Sequence, residues 1–160
     1  MEWGHIVEHC DSVWINEKTR VLKPVFTGDY QTEIVTESGS YFSKKSCLEL
    51  LQLVCLRYFS DYEGRIKAAR HYLKYDRKTP VYLGDANFSC FPTRSPKHPE
   101  CMWIFNQEYS IYAYDLANKK TVLLYADAAT IEVNASRHTL EKQLNRTIMM
   151  VYRARNLERS

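Results

Sequence analysis

Apolar and polar positions run in short alternating stretches through the first 43 residues. Val21, Val25 and Phe26 lie in a β-branched, aromatic-rich run after Arg20, and Ile34 and Val35 begin another beyond the turn signal Thr27-Gly28-Asp29. Ser38-Gly39-Ser40 marks a further turn before Tyr41-Phe42, so the segment predicts strands joined by tight turns. From Ser46 the period changes. Cys47, Leu48, Leu50, Leu51, Leu53, Val54, Cys55, Leu56, Tyr58 and Phe59 place apolar groups nearly all round a helical wheel, as in a helix buried in mid-domain. The Ser46 hydroxyl is placed to accept from a first-turn N–H. After Gly64 the pattern predicts a shorter helix, with Ile66, Ala69 and Leu73 on one side and Lys67, Arg70 and Lys74 on the other.

Pro80 closes that region. Short strands are predicted at Val81-Tyr82-Leu83, Phe88 to Phe91, Met102 to Phe105, Tyr109 to Tyr114, Thr121 to Tyr125 and Thr130 to Val133, with turns at Asn118-Lys119-Lys120 and Asp127-Ala128-Ala129. They read as an antiparallel meander. The last element is a helix with Leu140, Leu144, Ile148 and Val151 on one stripe and Lys142, Arg146, Met149 and Arg153 on the opposite one. With no linker and no internal repeat, the expected fold is α+β: an antiparallel β-sheet meander with a buried central helix and a C-terminal amphipathic helix, in a single domain over residues 1–160.

Composition excludes several classes. At 160 residues, 45% apolar with five Gly and five Pro, the chain is neither disordered nor collagen-like. Its longest apolar stretch, Leu50 to Leu56, is broken by Gln52 and falls far short of the ~20 residues that span a bilayer. Glu2 and Glu8 stand where a signal peptide needs basic residues, so a cytoplasmic protein is expected. Five cysteines without a CxxC argue against a disulfide framework and against structural zinc. The nearest approaches to a metal set are His5, His9 and Cys10, and the pair His98 and Cys101; neither has ligand spacing, and no metal or cofactor is expected. No P-loop, GxSxG, HExxH or zinc-deaminase pattern occurs, so no catalysis is expected either.

The net charge of +3 hides an asymmetry. Residues 1–63 sum to −4, residues 64–98 to +6 and residues 99–160 to +1. The basic block interleaves its cations with Tyr72, Tyr75, Tyr82, Phe88 and Phe91. Such a block is either a solvated face or a phosphate-contacting surface, where each Lys or Arg releases condensed counterions.

Three stretches then sharpen the reading. The first is Cys55 to Arg65, ending Tyr62-Glu63-Gly64-Arg65. The second is Phe91-Pro92-Thr93-Arg94-Ser95-Pro96-Lys97-His98-Pro99-Glu100-Cys101-Met102-Trp103-Ile104. The third is Ser136, Glu141-x-Gln143 and Arg146-Thr147. In order and spacing they resemble the ComK family, competence transcription factors of Gram-positive bacteria. Each stretch also has a packing explanation. Gly64 permits a positive φ or a close approach, Pro92 ends a strand, Cys101 and Trp103 alternate toward a core, and Gln143, Arg146 and Thr147 stitch the last helix to a loop.

The resemblance implies a sequence-specific activator of DNA-uptake genes that binds paired A/T-rich boxes of double-stranded promoter DNA through the minor groove. It also implies a homo-oligomer, with RNA polymerase as a candidate further partner. That groove distinguishes little beyond A·T from G·C, so groove width and bendability carry specificity. The cations in or beside the motifs and on the helical faces are the candidate contacts: Arg65, Lys67, Arg70, Lys74, Arg94, Lys97, Lys142, Arg146 and Arg153. Longer family members carry a C-terminal tail implicated in multimer formation and in capture by an adaptor–protease system, whereas this sequence stops at Ser160. The competing expectation is a non-catalytic protein-interaction domain of the same fold that has lost promoter binding.

Overall fold

The computed structural model describes residues 8–84, 87–115, 117 and 120–159. A 3-10 helix, Glu8–Trp14, leads into β1 (Thr19–Thr27), β2 (Tyr30–Thr36) and β3 (Gly39–Ser43). Two helices follow, α1 (Cys47–Arg57) and α2 (Tyr62–Leu73). Next come β4 (Val81–Tyr82), β5 (Ser89–Pro92), β6 (Trp103–Phe105), β7 (Tyr109–Asp115), β8 (Lys120–Tyr125) and β9 (Thr130–Val133), and α3 (Arg137–Glu158) ends the order. The fold is α+β with antiparallel pairing throughout, as expected, and the C-terminal helix is present. The meander is realised as three three-stranded units distributed over two sheets. One sheet has the order β3-β2-β1-β6-β5-β4 and the other β7-β8-β9.

The join between the first two units is β1 against β6, where Val21 pairs with Ile104 and Leu22 with Trp103. Both strands are apolar on both faces because both faces are covered. Leu22, Trp103 and Phe105 point into a core with Leu50, Leu51, Val54 and Cys55 of α1 and Ile66 of α2. Val21, Phe91, Met102 and Ile104 point the other way, into a core with Leu123, Tyr125, Ile131 and Val133 of the second sheet and Leu140 of α3. Cys101 and Trp103 therefore share the α1-side core, as their alternation predicts. Trp103 is fully buried and takes the edge of Tyr62 at 6.1 Å.

Local chemistry starts each helix. Ser46 and Glu49 form a reciprocal capping box on α1. The amide of Ser46 donates to the Glu49 carboxylate, and that bond holds the acid below its usual range. Leu50, Leu51, Val54 and Cys55 are buried, while Leu56 stays 53% exposed. α2 begins at Tyr62, two residues ahead of Gly64, because the Asp61 side chain caps it by accepting from the Gly64 amide at 2.6 Å. Gly64 serves that close approach: a Cβ there would lie 2.7 Å from the Asp61 carboxylate oxygen.

α3 departs from its expected face. The buried residues are Leu140, Gln143, Thr147, Met150 and Val151, whereas Ile148 is 51% exposed. Two polar residues occupy the inward stripe because their hydrogen bonds are met inside. Gln143 donates to the carbonyls of Lys78 at 2.8 Å and Pro92 at 2.9 Å, and the Thr147 hydroxyl donates to the Gln143 carbonyl at 2.8 Å. Reading only apolar spacing therefore rotates the helix away from its true packing face.

An arginine joins the two sheets. Arg20 of β1 lies 4.3 Å over the Tyr125 ring and donates to Asp127, in the β8–β9 turn, at 2.8 Å. This bond, helped by the Ala129 amide, holds the Asp127 carboxyl below its usual range. Four cysteines, Cys47, Cys55, Cys90 and Cys101, are free thiols on the α1 side. Burial pushes Cys47 up to about 12 and Cys55 and Cys101 up to about 11, and raises Cys90 as well. The set His5, His9 and Cys10 has its side chains outside the described residues. Among the described residues no group of three or more His, Cys, Asp or Glu is placed to hold a metal ion, the pair His98 and Cys101 included. No described helix is long and apolar enough to cross a membrane.

Candidate nucleic-acid interface

The basic block folds as α2, the link from Lys74 to Pro80, β4, β5 and the start of the β5–β6 loop. Lys67, Arg70 and Lys74 follow one another at helical spacing on the exposed side of α2. The helix ends at Lys74, which takes the left-handed conformation with φ 60°. Beyond it the link turns back across α3. Tyr75 packs under Arg146, whose guanidinium lies 4.3 Å from the ring centre, and the Tyr75 hydroxyl donates to the Arg146 carbonyl at 3.3 Å. The Thr79 hydroxyl donates to the Tyr75 carbonyl at 3.0 Å and accepts from Arg70 at 3.3 Å. A second contact lies further along, where Arg153 of α3 stands 5.5 Å over Tyr72 of α2.

These contacts bring Arg70, Arg146 and Arg153 to the α2–α3 seam, with Lys74 at the end of α2 next to Tyr75. Lys142 precedes Arg146 by one helical turn and is exposed. Two of the tyrosines interleaved in the sequence, Tyr75 and Tyr72, carry the α3 arginines Arg146 and Arg153. Two exposed cations of the link, Arg77 and Lys78, belong to the same surface and were not singled out from the sequence. They lie between helices, where face-counting gives no signal. Their place in the +6 block beside Tyr75 was the available clue.

The other predicted residues divide. Arg65 is half-buried: it donates to the Ser60 hydroxyl at 2.9 Å, lies 5.6 Å from the Tyr82 ring and would be 2.8 Å from a Cβ at Gly84. It also lines the groove between α2 and α3 that Arg153 and Tyr72 border. Arg94 leaves the sheet on the β5–β6 loop and reaches the Asn134 carbonyl just ahead of α3, at 3.5 Å. Lys97 is exposed further round that loop, in a groove with Phe26 and His98. Among the described residues no hydrogen bond or ion pair links it to the α2–α3 cations.

Arg146 is the most committed of the nine. Its Nη1 donates to the Gln143 side chain at 2.6 Å and to the Lys78 carbonyl at 3.4 Å, and its Nη2 donates to the Arg77 carbonyl at 2.9 Å. Burial lowers its pKa somewhat from the usual arginine value. Thus Gln143 and Arg146 do stitch the last helix to a loop, and the loop they hold is the basic one, whereas Thr147 bonds back within α3. Other motif residues also tie elements together. Ser136 caps α3 by accepting from Thr139, and Thr93 bonds Asn134 at 3.0 Å and accepts from the Met102 amide at 3.0 Å. The second and third motifs meet directly where Gln143 donates to Pro92.

The arrangement is that of an α+β module that presents cations from two helices and the link between them, aligned by aromatic rings. The chain belongs to the ComK family: the family described as ComK protein matches residues 10–158. It is 24% identical over 131 residues to the competence transcription factor of Bacillus subtilis (strain 168), covering 79% of this chain and 66% of that relative. It therefore spans slightly less than two thirds of the relative's length. No solved structure gives a significant match to it.

Proposed function

We propose that this chain is a DNA-binding transcriptional activator of competence genes, acting in the cytoplasm as a homo-oligomer on paired A/T-rich boxes through the minor groove. Membership of the ComK family and the likeness to a protein named as a competence transcription factor support the regulatory role. The observation that carries the DNA reading is the α2–α3 seam, where Tyr72 and Tyr75 align Arg153 and Arg146 with the cations of α2. The exposed cations are spread over α2, α3 and the link between them rather than gathered along one helix, and each of these helices packs a buried face on the domain. A surface of that kind suits readout of phosphates and groove shape, to which arginines on loops and helix flanks contribute.

The test is a gel shift of the full chain on paired A/T boxes against scrambled, G/C-rich duplex, titrated with salt. The expected result is tighter binding to the A/T boxes at ~150 mM salt, with a steep salt slope. Equal affinity for the two duplexes overturns specific regulation. No binding to either favours a protein-interaction role for the same surface.

A further inference from the structure

We infer that the link between α2 and β4, carrying Lys74, Arg77 and Lys78, is the phosphate-contacting element of this surface, and that Arg146 is the positioning residue that holds it in shape. This rests on the reading that the chain binds DNA. It adds two contact residues to that reading and removes Arg146 from the direct contacts.

The backbone of the link is the first reason. Lys74 has φ 60° and Lys78 has φ 47°, so two residues with full side chains adopt the left-handed region within five positions. Side-chain-bearing residues keep that conformation where surrounding structure fixes it, and such residues cluster at functional sites. The surroundings here are specific. Arg146 donates to the Arg77 carbonyl at 2.9 Å and to the Lys78 carbonyl at 3.4 Å, while Gln143 donates to the Lys78 carbonyl at 2.8 Å. Tyr75 is held beneath the Arg146 guanidinium, and Thr79 closes the turn back onto the Tyr75 carbonyl.

The consequence for charge is the second reason. Carbonyls of the link turn inward onto α3, while the side chains of Lys74, Arg77 and Lys78 are exposed. Among the described residues no ion pair engages those three side chains. The one acid on the link, Asp76, is exposed and acts electrostatically on Arg146. A cationic loop already fixed by its backbone avoids ordering entropy on meeting a polyanion, which is how preorganisation raises affinity. Arg146 lacks that freedom, since its guanidinium is engaged with two carbonyls, a side-chain amide and a ring.

The experiment is fluorescence anisotropy of the full chain with a labelled paired A/T-box duplex, at salt from ~50 to ~250 mM. Lys74→Ala, Arg77→Ala and Lys78→Ala together should weaken binding roughly 100-fold at ~150 mM salt and flatten the log–log salt slope by about 3. Arg146→Ala and the charge-keeping Arg146→Lys should both weaken binding in the wild-type background, because both lose the paired grip on the carbonyls. Neither should weaken it further in the triple-variant background. Thermal unfolding of each variant identifies the folded proteins to be compared. Wild-type affinity in the triple variant overturns the inference. So does an Arg146→Ala loss of equal size in both backgrounds with a slope change of about 1, the mark of a direct phosphate contact. So, too, does wild-type binding by Arg146→Lys. A wild-type chain that binds no DNA overturns the DNA reading itself, and this inference with it.

Discussion

α1 and α3 pack against opposite faces of the six-stranded sheet, and different chemistry holds them there. α1 buries Leu50, Leu51, Val54 and Cys55 as an all-apolar face and makes its polar contacts off that face, in the Ser46–Glu49 box, in Gln52, whose side-chain oxygen accepts from the Tyr62 amide at 2.7 Å, and in Arg57, which donates to the Ile15 carbonyl. α3 buries Gln143 and Thr147 within its apolar stripe; Gln143 grips the backbone at Lys78 and Pro92, while the Thr147 hydroxyl donates back to the Gln143 carbonyl within the helix. Apolar burial is non-directional and fixes which layers touch. Buried hydrogen bonds have fixed geometry and determine which loop conformation sits on the helix. The side of the molecule with the polar staples is the side where the basic link is shaped.

This comparison can be broken at several points. The largest expected effect is alkaline and belongs to the α1 side, where all four described thiols lie. Their folded pKa values are raised, so their contribution to stability is full below the unfolded thiol value of roughly 8.5 and is lost as pH rises through the folded values. Chemical denaturation at a series of pH values should show stability falling above pH ~9 by about 1.4 kcal/mol per unit for each such thiol. In Cys90→Ala the slope should be shallower by that amount, whatever the cavity costs; an unchanged slope breaks the assignment. Next, Leu51→Ala should cost about 2–5 kcal/mol in urea unfolding, since the side chain is wholly buried.

Gln143→Leu sharpens the contrast. If α3 were held by apolar packing alone, this near-isosteric change would be neutral or stabilising. Because it removes donors from two carbonyls, it should cost about 1–3 kcal/mol, and the α2–β4 link should exchange its amide hydrogens faster. The smallest effect is at Ile148: Ile148→Asn should shift the unfolding midpoint by no more than ~0.5 kcal/mol, because the side chain is half exposed.

The same contrast explains what the sequence could disclose. The strands, the turns after β1, β2 and β8, the Ser46 cap and the α2 face were legible because local periodicity and capping chemistry are written in adjacent residues; Asn118 and Lys119 of the turn expected at Asn118-Lys119-Lys120 lie outside the described residues. Partnership between strands is not written locally. The short apolar run from Met102 to Phe105 predicts a strand without revealing that it pairs β1, or that β7 opens a separate sheet. The packing face of α3 was misjudged for a related reason. A buried glutamine is identified by its distant carbonyl partners, and they lie in segments more than fifty residues earlier. At the candidate interface, the basic block and its tyrosines were visible as composition. That Arg146 clamps while Arg77 and Lys78 are exposed depended on a loop conformation that spacing does not encode.

The pairing of β1 with β6 also bears on how the chain is made. The first three strands form a contiguous hairpin unit, yet the inner edge of β1, at Val21 and Leu22, has its partner only in Ile104 and Trp103. During synthesis that edge remains an open apolar template for on the order of several seconds after β3 has emerged, at ordinary elongation rates. Open edges of this kind recruit other chains. A ribosome stalled before Trp103 would therefore display an aggregation-prone half-sheet, and the interval before β6 arrives is when the nascent chain most needs a chaperone.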